Sequence, residues 1–152
     1  MPTESLKLWV VLARAYQAIG ARAEAHAREH DLTIAEFGVL EALHHTGPAL
    51  LGELQKKLLV SSGGVTWLVD RLERRGFVER AACSEDRRAR YARLTDAGRR
   101  FITKIFPAHA EVIRDVCSEL TAAEQRELTA LLRTLGHSAA EALPATPAGR
   151  RR

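Results

Sequence analysis

Residues 61–75, Ser61-Ser62-Gly63-Gly64-Val65-Thr66-Trp67-Leu68-Val69-Asp70-Arg71-Leu72-Glu73-Arg74-Arg75, place short hydroxyl side chains at one end and guanidinium groups at the other. The chemistry such a set supports is hydrogen bonding and ion pairing to a polyanion. Ser61, Ser62 and Thr66 can donate to phosphates or base edges, and free N–H groups at a helix start can hold a phosphate. Gly63 and Gly64 would each weaken an ordinary helix by roughly 1 kcal/mol relative to Ala, a cost that close approach to a phosphate or base rationalises. Arg71 and Arg74, towards the far end, suit backbone contacts or bracing of a following hairpin. Trp67 can stack on sugar and backbone, or fill a gap beside another helix. Asp70 suits a supporting role, orienting Arg71, Arg88 or Arg90 through a charge-assisted bond. Farther along, Arg87 and Arg88 lie in a charged turn with Arg90 just beyond it, and Arg87 or Arg88 can enter a minor groove whose narrow A·T stretches concentrate negative potential.

The charge distribution agrees with this chemistry. The formal net charge is +4, yet residues 71–100 hold ten arginines against five acids, whereas the rest of the chain carries 13 basic and 14 acidic residues. One segment therefore supplies the positive field that a polyanion would meet. Other chemistries lack a scaffold. There is no phosphate-binding Gly-rich loop, nucleophile elbow or spaced carboxylate pair, so no catalytic residue and no cofactor is expected. Cys83 and Cys117 are 34 positions apart and form no close metal-binding pair; they read as a strand or turn residue and a small buried helix residue. The six histidines, His26, His30, His44, His45, His109 and His137, read as spread over helices without a short ligand cluster, so no metal site is expected.

These residues need elements to position them. The 152 residues, 46% hydrophobic and only 5% aromatic, fit one compact module with a core of Leu, Val and Ala, which favours helix. Leu6 to about Arg28 reads as one long helix with a narrow seam at Trp9, Leu12, Tyr16, Ile19, Ala23 and His26 that needs a partner. Thr33 with Glu36 forms a capping box for a helix carrying Phe37, Leu40 and Leu43 inward, stopped at Gly47-Pro48. Ala49-Leu50 suits a strand pair, followed by a short helix from Gly52 to Leu58 or Leu59 whose start is poorly signalled. The next helix runs from a Ser61 cap to Arg75 and ends at Gly76, with Val65, Leu68, Val69 and Leu72 inward. Phe77–Arg80 and Ala89–Leu94 read as antiparallel strands around the Ser84–Arg88 turn. Thr95 caps a helix with Phe101, Ile105, Ala108, Val112 and Val116 on one face. Thr121 with Glu124 opens a last helix bearing Leu128, Leu131, Leu132 and Leu135.

A helix, a short helix, a further helix and a hairpin in this order form a winged helix-turn-helix, with residues 61–75 as the element sized for the major groove. The fold expected is mainly α with a small β-hairpin. Residues 1–31 form an N-terminal helix, 32–95 a DNA-binding lobe, 96–143 C-terminal helices and 144–152 a loose basic tail. With no run long enough to span a bilayer and no secretion signal at the N-terminus, a cytoplasmic location is expected.

Four blocks carry a more specific likeness: Leu32-Thr33-Ile34-Ala35-Glu36-Phe37, the run from Val65 to Gly76, Asp86-Arg87-Arg88, and Leu94-Thr95-Asp96-Ala97-Gly98. In this order they resemble the MarR family, named for regulators of multiple antibiotic resistance. The resemblance implies a homodimer whose terminal helices interlock, binding a pseudo-palindromic operator in double-stranded DNA through two reading helices and two wings. The seam from Trp9 to His26 is then one side of a dimer interface completed by the region from Val112 to Leu135. The resemblance also implies transcriptional repression relieved by a small phenolic or aromatic effector, with Trp9, Tyr16, His44 and Trp67 as pocket-lining candidates. The opening Leu6–Leu12 is similar to members that respond to quinones or related aromatic compounds. The sequence departs from the family pattern at Trp67, where Arg or Lys is frequent, at Gly63-Gly64, where larger polar residues are often found, and in lacking the first-helix cysteine of peroxide-sensing members. The rival expectation is a winged helix reused as a protein-docking module without specific DNA binding.

Overall fold

The computed structural model describes residues 3–58, 62–82 and 90–141. The chain divides into two units, Met1–Val116 and Cys117–Arg152. The first unit opens with α1, Glu4–Arg28. It closes through a turn in which Asp31 adopts φ 56° and the Leu32 N–H reaches back to the Ala27 carbonyl at 3.1 Å. That six-residue closure puts a non-glycine residue in the left-handed position, which Asp tolerates better than most.

Helix α2, Ile34–Thr46, starts as its sequence dictates. The Glu36 N–H donates to Thr33 Oγ1 at 3.1 Å, and the Thr33 N–H donates to Glu36 Oε2 at 2.8 Å, so the expected capping box is formed. A two-residue strand, β1 at Ala49–Leu50, leads into α3, Leu51–Leu58. The missing start signal for α3 is Glu53, whose carboxylate accepts the Leu50 N–H at 3.0 Å.

Helix α4 spans Ser62–Arg74 and is followed by Gly76 at φ 75°, with the Phe77 N–H bonded to the Leu72 carbonyl. Its inward residues Val65, Leu68, Val69 and Leu72 are all buried, as their spacing predicts. They join Phe37, Leu40, Leu43, Leu54 and Ile102 in one core, each large side chain contributing roughly 1.5–3 kcal/mol by leaving water. Strands β2, Val78–Ala82, and β3, Arg90–Leu94, pair antiparallel with Val78 opposite Leu94 and Arg80 opposite Ala92. Strand β1 adds to the far side of β3, giving the order β1-β3-β2.

Helix α5, Asp96–Val116, is capped by Thr95, whose Oγ1 accepts the Gly98 N–H at 3.0 Å. Its buried face differs from the one expected: Gly98, Ile102, Ile105 and His109 point inward and Ala108 is exposed. The reason lies at its first turn. A Cβ on Gly98 would stand 1.9 Å from the Phe77 carbonyl oxygen, so the glycine must face the root of the hairpin, and the rest of the helix follows that rotation. Phe101 lands stacked on Phe77, with ring centroids 4.4 Å apart.

The second unit holds α6, Ala122–Glu141, opened by the Thr121–Glu124 capping box. Cys117 sits half-buried in the turn after α5 rather than buried inside a helix. Among the described residues no helix is long and apolar enough to cross a membrane.

Candidate nucleic-acid interface

The outward side of α4 is open. Gly63, Thr66, Trp67 and Arg74 are exposed, Trp67 by 51%. A Cβ at Gly63 would meet nothing within 4 Å, so packing inside the chain does not require a glycine there. The Arg71 guanidinium lies over the Trp67 ring, 4.8 Å from its centroid, and the two cover the middle of this face together. Arg74 donates to the Asp70 carbonyl one turn back. Arg90 is exposed at the start of β3. Ser61, Arg87, Arg88 and the Ser62 side chain lie outside the described residues, as do Cys83 and the tail beyond Glu141.

Arg71 has a second task that its sequence position does not reveal. Its Nε donates at 2.7 Å to Glu36, whose side chain is 0% exposed. Burial alone would raise the Glu36 pKa, but hydrogen bonds from the Thr33 backbone and from Arg71 outweigh it and hold the carboxyl below its ordinary value. The capping box of α2 is thereby tied to the middle of α4.

The supporting role expected for Asp70 falls to a different arginine. Asp70 accepts from Arg80 of β2 at 2.6 Å, not from Arg71 or Arg90 among the described residues. Glu73 accepts from the same guanidinium, because Asp70 and Glu73 are three residues apart on the side of α4 that faces β2. Arg80 therefore braces the hairpin against the helix, one of the two roles, with backbone contacts, that were expected of Arg71 and Arg74. On the opposite edge Arg93 pairs with Glu79 across the strands.

The four effector candidates lie on three different helices. Trp9 and Tyr16 lie 65% and 77% exposed on the outer part of α1. His44 is half-buried near the end of α2 against Phe106, and Trp67 stands on α4. A groove of about 580 Å³ beside the sheet is lined instead by Leu43, Gly47, Glu79, Arg93, Thr95 and Arg99.

The expectation that the histidines form no short cluster is overturned. His26 and His30 bring their rings to 5.0 Å, and ligand atoms of His26, Glu29 and His30 all lie within 4.8 Å of one another. His109 adds an Nδ1 at 3.2 Å from that of His26, both rings being buried. Burial, and then the neighbouring His26, push the His109 pKa below the ordinary histidine value. The sequence did carry a signal: His26 and His30 are four residues apart across the end of the first helix, close enough in the chain for their rings to meet.

Comparison with known proteins places this geometry. The model of the MarR family matches residues 32–89, the segment that contains α2, α3, α4 and β2. The HTH-type transcriptional regulator MhqR of Bacillus subtilis is 38% identical over 139 residues, covering 91% of this chain and 96% of that protein. The chain belongs to the MarR family. Members of the MarR family are DNA-binding transcriptional regulators with a winged helix-turn-helix, not enzymes. Two solved structures share the fold at somewhat lower identity. BpsR of Bordetella bronchiseptica, in a structure describing regulation of its DNA binding by 6-hydroxynicotinic acid, superposes with a TM-score of 0.76 at 27% identity, covering 86% of this chain and 98% of BpsR. A mutant of Escherichia coli MarR complexed with operator DNA gives a TM-score of 0.78 at 26% identity, covering 87% of this chain and 95% of MarR.

Proposed function

We propose that this chain is a sequence-specific repressor that works as a homodimer on a pseudo-palindromic operator and is released by a small phenolic or otherwise aromatic ligand. One observation carries the reading. Helix α4 is clamped by its apolar face, by Arg71 to Glu36 and by Asp70 and Glu73 to Arg80, while Gly63, Thr66 and Trp67 are exposed. A rigidly held helix with an open polar side and a donor-rich start suits a major groove. Ser61, Ser62, Gly63, Thr66 and Trp67 are the proposed groove contacts, and Arg71, Arg74 and Arg90 supply charge beside them. Arg87 and Arg88, between β2 and β3 in the sequence, are the proposed wing contacts.

Dimerisation draws support from what each unit leaves uncovered. Leu8, Trp9, Tyr16 and Ile19 on α1, and Leu128, Leu131, Leu132 and Leu135 on α6, are exposed apolar side chains at helical spacing. Apolar stripes of this kind mark association surfaces. Residues 1–31 and 96–143 are accordingly the proposed dimerisation segments, and 32–95 the reading lobe. An effector pocket that uses Trp9, Tyr16, His44 or Trp67 then needs the second copy, and a ligand acts by favouring a dimer in which the reading helices no longer fit the grooves. The regulation of BpsR by a hydroxylated aromatic acid supports this class of ligand.

Selection of random DNA duplexes on the purified protein tests the proposal; the expected outcome is enrichment of an inverted repeat. Failure to enrich any duplex over a shuffled control at moderate salt would favour the docking-module alternative. On the selected duplex, Arg88→Ala should weaken binding and lower the slope of log affinity against log salt by about one. An unchanged affinity and slope would remove Arg88 from the interface.

A further inference from the structure

We infer that His26, in the last turn of α1, and Glu29 and His30, in the turn that follows it, form a binding site for a divalent transition metal of the zinc class. The two imidazoles bring their ring centroids to 5.0 Å, and the carboxylate between them in the chain joins the same 4.8 Å cluster. A tetrahedral set with metal–nitrogen bonds near 2.05 Å has ligand-to-ligand edges of about 3.3 Å. Closing the cluster to that size takes rotamer changes at Glu29, which is exposed, and His30, which is half-exposed. The His30 ring lies edge-on to Phe101 with centroids 6.4 Å apart, a contact that its rotamer change gives up. Among the described residues the Glu29 carboxylate and the His30 ring nitrogens have no hydrogen-bond or ion-pair partner, and the neighbouring Arg28 is turned to Glu24.

His26 is prepared for ligation by the residue behind it. Its Nδ1 is engaged with His109 Nδ1 at 3.2 Å, so Nε2 is the nitrogen it has to offer. A metal on Nε2 requires the proton on Nδ1, and the His109 lone pair accepts that proton. Metal-binding histidines are commonly fixed in this way through their other nitrogen, which sets both tautomer and ring orientation. Phe37 of α2 stacks on His109 with centroids 4.0 Å apart and holds this partner in place. His109 is thus a positioning residue rather than a ligand.

Two imidazoles and one carboxylate favour zinc, cobalt or nickel over calcium or magnesium, which prefer all-oxygen shells. Three protein ligands leave a fourth position for water or an exchangeable group, which distinguishes this site from a closed structural zinc centre. The location is where α1, α2 and α5 meet, so an ion here would fasten the last turn of α1 just ahead of Asp31 in its left-handed conformation.

The test uses the intact protein, stripped of metal and titrated with Co²⁺, followed by displacement with Zn²⁺. The expected result is one ion per chain, visible d–d bands of a tetrahedral site, and a thermal unfolding midpoint raised by the metal. Glu29→Gln and His30→Ala alter side chains outside the core and should each weaken Co²⁺ affinity at least tenfold, while His137→Ala on α6 should leave it unchanged. His109→Gln should weaken affinity by roughly 10- to 100-fold, the range seen when the partner of a ligating histidine is lost. The inference is overturned if no stoichiometric cobalt site forms, or if the Glu29→Gln and His30→Ala proteins bind as tightly as the parent. None of these outcomes depends on DNA binding.

Discussion

A single carboxylate helps seat helix α4. Glu36 is fully buried, completes the cap of α2 and accepts from Arg71, 35 positions later. Removing the guanidinium leaves a buried carboxylate short of its charged donor, so Arg71→Ala should cost about 2 kcal/mol of unfolding free energy at neutral pH, measured by urea denaturation. Because the folded pKa of Glu36 is depressed, its contribution is fully present above the ordinary value of 4.5 and is lost as pH falls through the lower folded value. The Arg71→Ala protein should therefore begin to unfold at a higher pH than the parent in an acid titration. An acid transition at the same pH in both proteins would show that the pair has no role in acid stability. The cap half of this arrangement was legible, because Thr and Glu three positions apart before an apolar run are a local signal. The Arg71 half was not, since no local pattern announces which of ten clustered arginines a buried acid will take. His26 and His30 illustrate a different failure: their spacing was visible, but Glu29 and His109 join them only once α1 ends and α5 crosses.

At the level of elements, the helices were readable from caps and apolar spacing, and the strands from the turn chemistry around them. What escaped was the rotation of α5. Spacing alone put Ala108 on its inner face, whereas the contact between Gly98 and the Phe77 carbonyl turns Ile102 and His109 inward. Gly98→Ala must push the start of α5 away from the hairpin root, and it should destabilise the protein by about 3 kcal/mol, at the upper end of overpacking costs. A melting curve indistinguishable from the parent would mean that the helix start can yield without loss. The start of α3, expected at Gly52 with Leu51 as a poor cap, lies at Leu51: Glu53 caps from inside the helix by accepting the Leu50 N–H, so no capping side chain precedes it.

At the level of the molecule, the sequence made the need for a partner visible as an unmatched seam, and both units carry such stripes in the fold. Leu131 is exposed on α6, and no residue of that helix is buried. Leu131→Glu together with Leu132→Glu should leave the helix intact by circular dichroism yet reduce the mass measured by sedimentation equilibrium to that of one 16.8 kDa chain. A mass of two chains in both proteins would remove α6 from the association surface. The double anchorage of Arg80 to Asp70 and Glu73 has a bearing on redesign. Anyone grafting a new specificity onto this scaffold by exchanging residues of α4 alone would strand a guanidinium of the recipient beside foreign side chains. The transplantable cassette is the stretch from the first residue of α4 through Ala82, in which donor and acceptors travel together and the hairpin keeps its pitch.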